Sequence, residues 1–259
     1  MFKYLRMTHI LFLSLFLSSH TAHAVKSDIA KEQRWADQVT DSLMDGDAVM
    51  LKAGEHSFLG LYTEAEDTSS RAVIIAHGTG AHPDWPQVVY PLRSQLTEQG
   101  WHTLSIQMPV LDNDADYKEY APLYDEIAPR MNAAVEYLLK QGVKTIVSVG
   151  HSQGSAMSAY YLSSQPEKIR GFVAIGMPVF DHDPRMNSLI SLSKIQLPVL
   201  DLYGTEDHEG IRNSADKRAK AAAKAGNKQY QQKIITGDHF FDGHEDGLIQ
   251  AVSEWLKRY

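Results

Sequence analysis

The chain has 259 residues, 43% of them hydrophobic, which suits one medium-sized domain with a substantial core. A formal net charge of −7 with no long basic run argues against a nucleic-acid partner, because phosphate binding needs clustered Lys and Arg. Cysteine is absent, so the chain offers no disulfide and no lipoprotein attachment point, and its core alone must hold the fold.

The N-terminus reads as an export signal. Lys3 and Arg6 form a short positive region, Ile10 to Leu17 is an apolar run too short to span a bilayer comfortably, and Ala22 and Ala24 sit where a signal peptidase needs small residues. The expectation is a signal peptide over 1–24 and a single mature domain over 25–259, with no stable membrane span. A retained membrane anchor is the competing reading. Export implies a periplasmic location, with secretion to the medium as the second option.

Along the mature chain, Ile29, Trp35, Val39 and Leu43 are spaced as the apolar face of a helix over Asp28 to Met44. Ala48 to Ala65 reads as two strands around a turn at Ala53-Gly54-Glu55. From Ala72 the rhythm changes to short apolar runs alternating with helical segments. The runs are "AVIIAHG", "HTLSIQ", "TIVSVG", "GFVAIG", "PVLDLYG" and "YQQKIIT". Helices are expected over Gln87 to Gly100, near Ile127 to Gln141, after Ser152, over Ser214 to Gly226, and over roughly Leu248 to Lys257. Asp112 to Asp125 reads as a polar connection, and Met177 to Gln196 as mixed. This alternation predicts an α/β fold: a mostly parallel sheet of about eight strands, helices on both faces and an antiparallel N-terminal hairpin at one edge.

The stretch "VSVGHSQGSA" carries the chemistry. Gly150-His151-Ser152-Gln153-Gly154 matches G-x-S-x-G, with a strand before it and a helix after it. That turn strains the serine backbone so that the hydroxyl projects, and a side chain at either glycine would crowd it. A serine hydroxyl needs a base, and the base needs an orienting acid. Asp207 follows one later strand and His239 follows the last, and the carboxyl ends of strands are where such sheets gather ligands. Glu206 is the alternative acid and His244 the alternative base. Asp201 lies inside a strand, His208 reads as a solvated loop residue, and His151 as a packing residue.

Two backbone N–H groups should face the developing oxyanion. Gln153 supplies one, and the loop after "AVIIA" supplies the other, from Thr79 first and Gly80 second. His77 with His82, and Asp181-His182-Asp183, lack the spacing of a zinc motif and read as surface or loop residues, so neither a metal nor a cofactor is expected. Trp85, Tyr117, Tyr120 and Tyr124 flank the same edge as pocket or packing residues.

Together these residues resemble the α/β-hydrolase fold over nearly the whole mature chain. More narrowly, "RAVIIAHGTGAHPDWPQVVYPLRSQLTEQGWHTLSIQMP" resembles an exported proteobacterial α/β-hydrolase family of unknown function. The resemblance implies a serine hydrolase with Ser152, His239 and Asp207 as its triad, acting on a small-molecule or acyl ester through an acyl-enzyme. Amide or peptide hydrolysis is the first alternative, and a non-catalytic binding or envelope protein on the same scaffold the second. The short interval Met177 to Gln196 departs from relatives that carry a helical cap and implies an open or lightly covered pocket. Nothing in the sequence bears on oligomeric state.

Overall fold

Strand alternation explains the layers. In a computed structural model, which describes residues 26–164 and 167–259, β3 (Arg71–Ala76) sends Ala72, Ile74 and Ala76 to one face and Val73 and Ile75 to the other. β5 (Thr145–His151), β6 (Gly171–Ile175) and β7 (Val199–Gly204) divide their side chains between the same two clusters. A strand buried on both faces must be apolar throughout, which is why these runs show so little polar alternation. One layer is built from α3 (Ile127–Lys140), α4 (Gln153–Leu162) and α5 (Ser188–Leu192), and the other from α2 (Val89–Gln95) and α8 (Glu245–Leu256).

The sheet has eight strands in the order β1-β2-β4-β3-β5-β6-β7-β8. β1 (Asp47–Ala53) and β2 (His56–Thr63) form the edge hairpin, and β2 runs antiparallel to β4 (His102–Ile106) as well. From β4 through β8 (Tyr230–Ile235) every pairing is parallel. Because β4 lies on one side of β3 and β5 on the other, the chain reverses its direction of travel across the sheet between them. A crevice opens at the carboxyl ends of strands at such a point.

α1 (Ile29–Ser42) packs Ala36 and Val39 on Leu59 and Leu61 of β2. Its start is fastened by charge. Buried Arg130 of α3 donates to both oxygens of Glu32 (2.8 and 3.0 Å) and to Glu126 (3.1 Å). The Ser27 hydroxyl bonds Glu32, and the Ser27 N–H donates to Glu126.

Several elements differ from the sequence expectation. α2 stops at Gln95 rather than Gly100, because the chain turns through Gln99 and Gly100, the latter at φ +75°. Tyr117–Glu126, expected as a polar connection, is a 3-10 helix started by a capping box in which Asp116 and Glu119 satisfy each other's backbone N–H. A short helix, α6 (Glu209–Asn213), follows the acid loop ahead of α7 (Ala215–Lys224). Between β6 and β7 there is only α5, so no cap domain stands over the sheet edge. The expected signal peptide lies outside the described residues. Among the described residues no helix is long and apolar enough to cross a membrane.

Candidate active site

The turn between β5 and α4 holds Ser152 at φ +53°, ψ −127°, a conformation that costs a non-glycine residue free energy and persists only when its surroundings impose it. Those surroundings are close backbone contacts. A Cβ on Gly154 would lie 2.3 Å from the His77 carbonyl oxygen, and one on Gly150 would lie 2.6 Å from Ser155 Cα. Glycine at both positions lets α4 start directly against the ends of β3 and β5. The Ser152 N–H is tied to the Ile175 carbonyl at 2.8 Å, which leaves the side chain projecting from the turn.

Three residues from three strand ends meet there. His239 Nε2 lies 2.9 Å from Ser152 Oγ, and His239 Nδ1 lies 2.7 Å from Asp207 Oδ1. With the Nδ1 proton donated to the carboxylate, Nε2 carries the lone pair and accepts from the serine hydroxyl. Burial alone would raise the Asp207 carboxyl. The hydrogen bond and charge of His239 outweigh it, together with the His208 N–H at 2.7 Å, and hold Asp207 below the ordinary carboxylate range. Gly176, at φ +56°, passes so close that a Cβ there would sit 2.9 Å from the His239 ring.

The alternatives are placed elsewhere. Glu206 is exposed, and its N–H donates to the Gly237 carbonyl. His244 caps α8. Asp201 is buried within β7 beside β8, bonded to Arg218 (2.7 Å), Tyr230 (2.5 Å) and Gln232 (2.9 Å).

Four histidines surround the site in distinct ways. His151 is buried, and its Nε2–H donates to the His239 carbonyl at 3.0 Å. Burial, then the neighbouring His239 charge, push its pKa down to about 3, so the ring is neutral. His77 is no surface residue: it is fully enclosed, and burial pushes it down to about 3 as well. Its Nε2 accepts from the Met108 N–H (2.9 Å) while its Nδ1–H donates to the Gly78 carbonyl (2.9 Å), locking the loop after β3 onto the end of β4. His82 stands edge-on between Trp35 and Trp85. His208 is exposed, yet its ring lies 4.2 Å from the His239 ring between centroids. The sequence hint for His208 was its place directly after the acid, on the loop that reaches the histidine.

Thr79 and Gln153 come together across the crevice, with the Thr79 hydroxyl donating to Gln153 Oε1 at 2.5 Å. Gln153 is the first residue of α4, so its N–H has no carbonyl within the helix. A hollow of about 280 Å³ opens over Ser152, lined by Gly78, Thr79, Ala81, Trp85, His151, His208, His239 and Phe240. Trp85 therefore lines the site, while Tyr120 and Tyr124 are buried in the core and Tyr117 stacks on Phe180. Asp183 is bound to Arg185 (2.8 Å), which also reaches Asp125, so the acidic run fastens a loop. Among the described residues no three His, Asp or Glu side chains gather in an arrangement that could hold a metal ion.

A family described as "Protein of unknown function (DUF3530)" matches the chain over residues 10–123 and 113–258. The chain belongs to that family. No curated protein matches this DUF3530 member in sequence. Solved structures do match it in shape. One is Est1E from Butyrivibrio proteoclasticus, at 17% identity and TM-score 0.66 over 82% of this chain and 98% of that one. The esterase Pf2001 of Pyrococcus furiosus matches at 17% identity and TM-score 0.68, over 85% and 95%. A dienelactone hydrolase from Anabaena variabilis matches at 21% identity and TM-score 0.65, over 82% and 97%. At these identities the likeness establishes the architecture: this DUF3530 chain has the α/β-hydrolase fold.

Proposed function

We propose that the protein is a serine hydrolase acting on carboxylic esters. The observation that carries this reading is the continuous row Asp207–His239–Ser152, with contacts of 2.7 and 2.9 Å, ending on a strained serine at the head of a helix. Ser152 Oγ attacks the acyl carbon while His239 Nε2 takes its proton, and Asp207 fixes the imidazole tautomer and steadies its charged form. The N–H groups of Gln153 and Thr79 hold the carbonyl oxygen as it becomes anionic. His239 then returns the proton to the leaving alcohol, leaving an acyl-serine, and water repeats the sequence to release the acid.

The hollow bears on the substrate. Its lining includes Trp85, Phe240 and Ala81 and no Lys or Arg. About 280 Å³ without a cap suits short, uncharged acyl esters. The esterase neighbours agree with this choice of bond, and the triad chemistry extends to amides at lower rates. The N-terminal export pattern adds a periplasmic location, which would be recorded as a mature chain beginning at Val25.

The test is a fluorophosphonate probe followed by a p-nitrophenyl ester series. Wild type should be labelled and Ser152→Ala should not, with turnover falling as the acyl chain lengthens. Folded wild-type protein that resists the probe and hydrolyses none of the esters would overturn the reading.

A further inference from the structure

The two residues offered as oxyanion donors come from distant parts of the chain. Thr79 stands on the loop after β3 and Gln153 opens α4, 74 positions later. Their amides can act together only if the loop and the helix keep a fixed separation, since donors aimed at an oxyanion lose their effect over a fraction of an ångström. The side chains of these same two residues are bonded to each other, Thr79 Oγ1 to Gln153 Oε1 at 2.5 Å. Gln153 is buried and Thr79 is exposed at the mouth of the hollow, so the bridge runs from the core to the rim.

The start of the loop is held on both sides, with the His77 carbonyl packed on Gly154 of α4 and the His77 ring bonded to the end of β4. His77 fixes Gly78 to the end of β4, and the Ala81 N–H closes a turn onto the Gly78 carbonyl at 3.3 Å. Neither contact sets the distance from Thr79 to α4. Gly80, at φ +68° with open space around its α-carbon, completes that turn just beyond Thr79. The side-chain bridge is the hydrogen bond that ties Thr79 itself to α4.

We propose that the Thr79 and Gln153 side chains are positioning groups, a polar clamp that sets the spacing of their own two backbone amides. This rests on the hydrolase reading above and adds a task that backbone geometry alone does not assign. The clamp acts on the oxyanion and not on substrate docking, so its loss should appear in kcat and leave KM nearly still.

A double-mutant cycle tests it, using Thr79→Val and Gln153→Met, which keep volume and remove the hydroxyl or the acceptor. Each single variant should lower kcat by about tenfold or more with KM within about twofold, and the double variant should be no worse than the poorer single. Thr79→Ser, which restores the hydroxyl, should recover kcat to within about threefold of wild type. Thermal unfolding of each variant reports any loss of fold, and the exposed Thr79 pair still decides the matter if Gln153→Met is destabilised. Losses that multiply in the double variant would overturn the clamp and make the hydroxyl an independent oxyanion donor. A Thr79→Ser variant as slow as Thr79→Val would overturn it too. Turnover that survives Ser152→Ala would instead sink the catalytic reading, so the two failures are told apart.

Discussion

His77 and His151 are buried as neutral rings with pKa values near 3, against an ordinary 6.5. In the unfolded chain both would take up a proton near the ordinary value. Between these limits the unfolded state binds more protons than the folded one, so stability rises with pH and is lost as the solution is acidified below about 6.5. Going from about pH 7.5 to about pH 5, each ring should cost ~2 kcal/mol, and the pair ~4 kcal/mol, with a slope near 1.4 kcal/mol per pH unit per histidine. Against a total stability of about 5–15 kcal/mol this is a large share. The assay is urea unfolding at half-unit pH steps, repeated on His151→Gln, in which one of the two titrations is gone and the slope should fall by about half. A stability that stays flat from about pH 7 to pH 5, or a slope that ignores the substitution, would refute the assignment of these rings as neutral.

Two further outcomes follow from the site. Asp207→Asn should lower kcat by about ten-thousand-fold by upsetting the His239 tautomer, whereas Glu206→Gln, whose side chain is exposed, should stay within about twofold of wild type in the same ester assay. Gly154→Ala places a methyl against two carbonyl oxygens at 2.3 and 2.4 Å, and both belong to rigid backbone. Urea unfolding should show a loss of about 1–3 kcal/mol, with kcat reduced as the loop after β3 is pushed away; wild-type values for both would contradict the packing described.

Ser152, Asp207 and His239 could be picked out in the sequence because each follows an apolar run punctuated by glycine, at Gly150, Gly204 and Gly237. Strand ends are local features, and a parallel sheet converts their order into proximity. The residues that support the triad gave no such sign. His77 is fixed by Gln107 and Met108, 30 and 31 positions away. Only the tertiary fold makes these pairs neighbours. The 3-10 helix escaped because Pro122 interrupts its pattern and its period is not that of an α-helix. The Asp116 and Glu119 spacing was the one local clue to its start. The position of His208 over His239 depends on how α6 begins, which residue order alone does not determine.

The fastening of the chain at Ser27 has a practical side. A recombinant version starting at Ile29 would keep every helix and strand of the described residues yet remove the groups that complete the enclosure of Glu32 and Glu126. Arg130 would stay in place while water reached its carboxylate partners, so the shortened protein should express but melt early. A purification tag placed after Tyr259 leaves the Lys26 and Ser27 contacts to Glu126 untouched.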